Sequence, residues 1–317
     1  MMKLFNPEMP VDIVYTWVDG NSESYRSLYK RYAKKNEDLN PERYRDVYTM
    51  LRYSLRSIEK YIPWYRNIYI ITQRPQVPDW LKLPHPQVKV IHHDEIFDSE
   101  YLPTFNSNVI ESYIHWIPDL SDYFLYLNDD FLFGRETFKG DFITNEGKIN
   151  IFGTLFGERL KFRVYDTRWN IFSYGFVEHT PLFICKKAWE LMLSEQKEEV
   201  HKTRLNRFRT DYDLAMDKLY RYYMLSKMRN YSRAVPALEV LKYHRFHKIT
   251  NGVTGQKKGI DRLKKMRPKF YCLNDDQRQN PNETVVRLVK NFLDENYPEP
   301  SSFELNSERI PRCLRRG

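Results

Sequence analysis

In the N-terminal half of the chain, short dense apolar runs alternate with stretches of helical period. Val11-Asp12-Ile13-Val14-Tyr15-Thr16-Trp17-Val18 is β-branched and aromatic and stops at Asp19-Gly20, which predicts a strand closed by a turn. Asn21 or Ser22 can then cap a helix running towards Lys35. Over residues 46–61, Val47, Met50, Leu51, Ser54, Leu55 and Ile58 share one helical face, and Pro63 ends the helix. Residues 67–72 (NIYIIT) read as a buried strand, 75–86 as a proline-rich loop, and 88–91 as a strand leading into His92-His93-Asp94-Glu95. A helix over 106–116 and a strand over 122–127 follow, and the strand ends abruptly in Asn128-Asp129-Asp130. This alternation predicts βαβ units and a mostly parallel α/β sheet flanked by helices. Such sheets bind ligands at the carboxyl ends of their strands, where Asp19, His92 and Asp129 all fall.

The C-terminal half is less regular. Residues 186–194 and 211–228 read as helices, 251–258 as a glycine-containing polar loop, and 283–295 as an amphipathic helix. A single catalytic domain over 1–305 with a helical C-terminal part is expected, then a basic tail over 306–317.

Composition narrows the function classes. The chain has 317 residues, 41% hydrophobic and 15% aromatic, which suits a globular core. Its net charge of +9 fits either an acidic partner or a solvated basic surface. Cys185, Cys272 and Cys313 are far apart, with no CxxC or Cys/His cluster, which argues against zinc and for a reducing compartment. No apolar signal region and no run near the roughly 20 residues of a spanning helix is present, so a cytoplasmic location, soluble or peripheral, is expected. There is no Walker A, no GxGxxG and no nucleic-acid signature, although Arg and Tyr interleave over 25–53.

The acidic turn carries the chemistry. Mg²⁺ takes one or two carboxylates plus substrate phosphates, so Asn128-Asp129-Asp130 between the apolar runs FLYL and FLF suits a nucleotide-sugar enzyme; as a bare polar turn it would need no function. Glu111 precedes that strand on a helix and is either a site residue or an exposed charge. His179 lies before an apolar run and can act as a base, although a lone histidine is more often structural. The basic segment from Arg204 to Arg209 can bind phosphate or form a solvated turn.

Together these segments resemble the Stealth family. Asp12 to Gly20 is similar to its first conserved region; Arg45-Asp46 through Gly134, with Tyr126-Leu127-Asn128-Asp129-Asp130, to the second; His179-Thr180-Pro181 and Arg209 through Asp213 to the third; Phe270-Tyr271-Cys272-Leu273-Asn274-Asp275 through Glu304 to the fourth. The family includes bacterial capsular and cell-wall polysaccharide phosphotransferases and the animal N-acetylglucosamine-1-phosphotransferase. The resemblance implies a Rossmann-like, GT-A-related core. It also implies transfer of a hexose- or N-acetylhexosamine-1-phosphate from a UDP-sugar to a glycan hydroxyl, with UMP released. By matching position it implies Glu111, Asp130, His179 and Arg209 as catalytic residues, with Mg²⁺ or Mn²⁺ on Asp130 and Asp129. Asp12, Trp17, Asp19, Asn128, Asn274 and Asp275, in the same blocks, are the substrate-binding candidates; Asp19 departs from the animal enzyme's asparagine. A second phosphate-binding arginine falls among Arg159, Arg163 and Arg168. A lipid-linked acceptor and peripheral contact with the inner membrane face are compatible with the charge. The rivals are a glycosyltransferase releasing UDP and a basic nucleic-acid or membrane-binding protein.

Overall fold

The computed structural model describes residues 8–33, 44–154, 175–176, 179–235 and 237–305. Arg159, Arg163, Arg168 and the tail over 306–317 lie outside the described residues.

The predicted N-terminal strands form as β1 (Val11–Thr16), β2 (Ile68–Thr72), β3 (Val88–His92) and β4 (Tyr123–Asn128). β5 (Phe131–Phe133), β6 (Ile149–Thr154), β7 (Gly175–Phe176) and β8 (Leu182–Cys185) follow, then β9 (Ser232–Val235), β10 (His244–Ile249) and β11 (Phe270–Asp275). The main sheet runs β3-β2-β1-β4-β8; its first four strands are parallel and β8 is antiparallel to β4. Every residue of β2 is buried, as a strand covered on both faces requires. The helices are α1 (Glu23–Tyr32), α2 (Met50–Tyr61), α3 (His93–Ile96), α4 (Ser107–Glu111), α5 (Lys186–Glu195), α6 (Lys197–Arg204), α7 (Met216–Ser226), α8 (Ala237–Tyr243), α9 (Val253–Met266) and α10 (Glu283–Asn296). The α/β class and the parallel-rich sheet are those expected from the alternation of runs.

A second sheet, β10-β11-β5, is not evident from apolar periodicity. It separates two cores by simple strand alternation. Phe131, Phe133, Phe270 and Cys272 belong to the large core beside the main sheet. Leu132, Tyr271 and Leu273, one residue out of phase, face the smaller core completed by α9 and α10. The acidic turn Asp129-Asp130 therefore links a strand of one sheet to a strand of the other.

Several helix limits differ from the periodic reading. α2 begins at Met50 rather than near 46, because the Asp46 carboxylate accepts the Met50 N–H at 3.0 Å. The helix expected over 106–116 breaks after Glu111. Arg204 donates to the Ser112 carbonyl (3.1 Å), and the Trp116 N–H turns to Tyr113 O (2.9 Å), so a 3₁₀ turn follows. α7 starts at Met216 rather than 211. The Asp213 carboxylate is held by Thr210 N, Thr210 Oγ1, Asn106 Nδ2 and Asn206 Nδ2 at 2.7–2.9 Å, which keeps the preceding segment in a turn. The segment 251–258 is not a loop, since α9 starts at Val253. Gly252 and Gly255 are the loop-like signals in that segment; just beyond it, Gly259 lies against the His247 ring, where a Cβ would come within 2.1 Å of Cε1.

The C-terminal segment is pinned by charge. Glu304, fully buried, accepts from Arg56 Nε (2.7 Å) and Nη2 (2.8 Å), from Arg52 (2.5 Å) and from Ser301 N (2.8 Å). Those hydrogen bonds outweigh burial and hold its carboxyl down at about 2.

Candidate active site

The parallel strands β1, β2, β3 and β4 all run into one cleft. Thr16 pairs with Asn128 at the carboxyl ends of β1 and β4, and Gln73 and His93 follow β2 and β3. The cavity, about 470 Å³, is lined by Trp17, Glu111, Asn128, Asp129, Asp130, His179, Arg209, Asn274 and Asp275 among others. Residues from strands far apart in the chain thus meet at one place.

Carboxylates crowd its floor. Asp129 is held well above the ordinary carboxylate range, first by burial and then by the neighbouring charges of Asp130 and Asp46. Asp130 Oδ2 lies 3.1 Å from Cys272 Sγ, 3.3 Å from Asn274 Nδ2 and 3.8 Å from His179 Nδ1. Its Oδ1 is buried with no hydrogen-bond partner among the described residues, and so is His179 Nδ1. Glu111, 7% exposed, is pushed up to about 8 by burial and then by Asp217, against the pull of Arg209 and Tyr126. Tyr126 Oη sits between Glu111 Oε1 (3.2 Å), Asn128 Oδ1 (3.3 Å) and Thr16 Oγ1 (3.0 Å), which joins the turn to the α4 glutamate. His179 has φ of 53°, a left-handed conformation rarely taken by a non-glycine residue, and its ring packs 5.2 Å from Phe246.

Stealth protein conserved regions 1, 2, 3 and 4 match residues 9–37, 43–151, 178–226 and 261–314, in that order. The chain belongs to the Stealth family. It is 32% identical to an exopolysaccharide phosphotransferase of Streptomyces coelicolor, over 94% of this chain and 52% of that protein. It is 29% identical to a capsular polysaccharide phosphotransferase of Haemophilus influenzae, over 87% of this chain and 81% of that protein. The chain thus spans about half of the Streptomyces relative. Among solved structures, the galactosyltransferase LgtC with donor and acceptor sugar analogues aligns at a TM-score of 0.42 and 13% identity, covering 90% of this chain and 96% of that one. An overlap this loose fixes no residue's role.

Within this Stealth chain, Glu111, Asp130, His179 and Arg209 line the same cavity, with Trp17, Asn128, Asn274 and Asp275 around them. Asp12 is a correction. It sits at the opposite end of β1 from the cleft, fully buried, bridged by Arg66 Nε (2.8 Å) and Nη2 (2.5 Å) and by the Ser121 and Asn67 amides. Every Asp12 oxygen is thus engaged in fastening strand to loop. Asp19 is absent from the cavity lining; its backbone pairs with Gln76, and its carboxylate caps Asn21 N at 2.8 Å. In the basic segment only Arg209 reaches the cavity. Arg204 stacks on Tyr113 at 3.8 Å, and Arg207 donates to the Leu102 and Pro103 carbonyls.

Two groups given no role by the sequence lie at the site. His93, buried and pushed down to about 3 by burial and then by His92, is on the cavity wall as a neutral imidazole. Cys272 brings a thiol to the acidic turn, so Asp130, His179 and Cys272 place ligand atoms within 4.8 Å of one another. The absence of a linear Cys/His cluster did not exclude this grouping, because three separate segments build it. The donor set fits a divalent cation: unneutralised carboxylates face one another in a buried place, and an orphaned Asp130 oxygen is available.

Among the described residues no helix is long and apolar enough to cross a membrane.

Proposed function

We propose that this chain transfers a hexose- or N-acetylhexosamine-1-phosphate from a UDP-sugar to a glycan hydroxyl in capsular or exopolysaccharide synthesis, releasing UMP. The observation that carries the reading is the meeting of the acidic turn, His179, Arg209 and Glu111 around one cavity at the carboxyl ends of the strands. The naming of its relatives as phosphotransferases supports it.

In this mechanism Asp130, with Asp129 beside it, would hold Mg²⁺ or Mn²⁺, which supplies charge neutralisation on the diphosphate. Arg209 offsets charge on the transferred phosphoryl group. His179 accepts the proton of the attacking glycan hydroxyl as its oxygen bonds to the sugar-bearing phosphorus. The bond from that phosphorus to the bridging oxygen breaks, and its electron pair leaves with UMP. Asn274, which donates to Asp130, keeps the carboxylate oriented. The aromatic wall of Trp17, Tyr25, Tyr44 and Tyr48 offers faces for a nucleobase. Peripheral contact with an anionic membrane face would bring the chain to a lipid-linked acceptor.

Phosphorus NMR of the products tests the reaction class. The expected result is UMP together with a phosphodiester-linked sugar. Formation of UDP and a new glycosidic bond would assign a glycosyltransferase instead.

A further inference from the structure

A second cavity, about 290 Å³, adjoins the first and shares Glu111, Asn128, His179 and Arg209 with it. Its remaining wall includes Phe131 of β5, Leu182 at the start of β8, Asp213 in the turn before α7, and Asp217, Lys218 and Arg221 of α7. Two nine-tenths-buried polar groups on this wall are incompletely paired. Glu111 Oε2 has no hydrogen-bond partner among the described residues. Arg221, 2% exposed, gives its Nη2 to Thr180 O (3.2 Å) and Nη1 to Phe152 O (3.5 Å), but its Nε has no partner among the described residues. Burying unpaired donors and acceptors is costly, so both point to a ligand that completes them.

The chemistry of the wall selects that ligand. The carboxyl groups of Glu111, Asp213 and Asp217 face the cations Arg209, Lys218 and Arg221, so the wall carries both signs and suits neither a bare anion nor an apolar molecule. A polyhydroxylated ring satisfies both signs, since its hydroxyls donate to carboxylates and accept from guanidinium. Phe131 and Leu182 give such a ring an apolar face to rest on. Asp217 and Arg221 are one turn apart on α7, so they address the same space. We propose that this second cavity is a pyranose-recognition subsite, in which Asp217 and Arg221 read hydroxyls of the sugar next to the reacting phosphorus. The inference rests on the sugar-1-phosphate reading above. The ring is either that of the donor or the terminal one of the acceptor.

Calorimetry with UDP, UDP-glucose and UDP-N-acetylglucosamine separates these cases. In Asp217→Asn, affinity for UDP stays at the wild-type value. If the donor ring occupies the subsite, the affinity gained by adding the sugar to UDP falls by about tenfold or more. If the acceptor ring occupies it, UDP-sugar binding is unchanged. Saturation transfer from the UDP-filled protein to methyl glucoside or methyl N-acetylglucosaminide is then lost in the variant. Arg221→Lys, which keeps the charge but loses the guanidinium fork, provides a second variant if Asp217→Asn does not fold. Wild-type behaviour of the folded variants in both measurements overturns the subsite. Failure of the wild-type protein to bind UDP or either UDP-sugar instead overturns the parent reading.

Discussion

Glu304 and Glu111 are both buried glutamates, and the chain treats them in opposite ways. Glu304 receives two arginines, a backbone amide and a hydroxyl, and its carboxyl is held down at about 2. Glu111 meets the Tyr126 hydroxyl at 3.2 Å, has no arginine hydrogen-bonded to it among the described residues, and is pushed up to about 8, first by burial. The contrast extends to the aspartates. Asp12 is fully engaged by Arg66 and two amides, whereas Asp129 and Asp130 face other carboxylates. Paired buried charge fastens the fold, and unpaired buried charge marks the place left for substrate and cation.

The comparison breaks if the unpaired group proves structural. His179→Ala is expected to lower kcat by about 10²–10⁴-fold, the usual scale of general-base loss, and Asp130→Asn to abolish metal-dependent turnover, each with the melting temperature little changed. Steady-state rates with a UDP-sugar and thermal unfolding measure the two effects separately. Near wild-type turnover in His179→Ala would end its assignment as the base, and undiminished activity in EDTA would remove the metal.

Glu304→Gln should behave in the reverse manner. Removing the charge strands Arg56, 9% exposed, and is expected to cost about 3–5 kcal/mol of stability in urea titrations. Activity of the fraction that remains folded should stay near the wild-type level.

The pH dependence sharpens the contrast because the two glutamates have opposite signs. A raised pKa means that the native chain keeps a proton the unfolded chain has lost. The contribution of Glu111 is therefore present below about 4.5 and is lost as pH rises towards about 8. A lowered pKa does the opposite: the contribution of Glu304 is present above about 4.5 and is lost as pH falls towards about 2. Glu111→Gln should flatten the decline of stability between those values on the neutral side, and Glu304→Gln the acid loss. Melting temperatures across pH read both; an unchanged neutral limb in Glu111→Gln would contradict its burial as a neutral acid.

The smallest effect expected is on ion preference. The Cys272 thiol near Asp130 should let Cd²⁺ compete with Mg²⁺, and Cys272→Ser should weaken that competition by a few-fold while leaving Mg²⁺-supported turnover near wild type. Equal Cd²⁺ inhibition of both proteins would show that the thiol does not reach the ion.

The part of the molecule legible in the sequence is the part built from continuous apolar runs. β1, β2, β3 and β4 follow their β-branched and aromatic stretches, and the turn after β4 reaches the cleft because β4 is a parallel strand. β11 escaped the periodic reading because its apolar residues alternate between two cores, Phe270 and Cys272 in one and Tyr271 and Leu273 in the other, and β10 because only its end residues His244 and Ile249 are buried. The fourth conserved block at residues 270–275 was seen only as a motif, with no sign that it lies beside the acidic turn. Asp12 was misplaced for a similar reason: its motif neighbours reach the site, but strand geometry puts its end of β1 far from them. Side-chain pairing, which decides between fastening and function, depends on partners tens to hundreds of residues away.

The acidic turn joins strands that belong to different sheets, and the second of those sheets faces both cores. Neither half of the chain can assemble the cleft by itself. A partly folded molecule would lack Asn274 and Cys272 beside Asp130, or would lack Asp130 itself. A cleft that exists only when both sheets are in place ties its chemistry to completed folding.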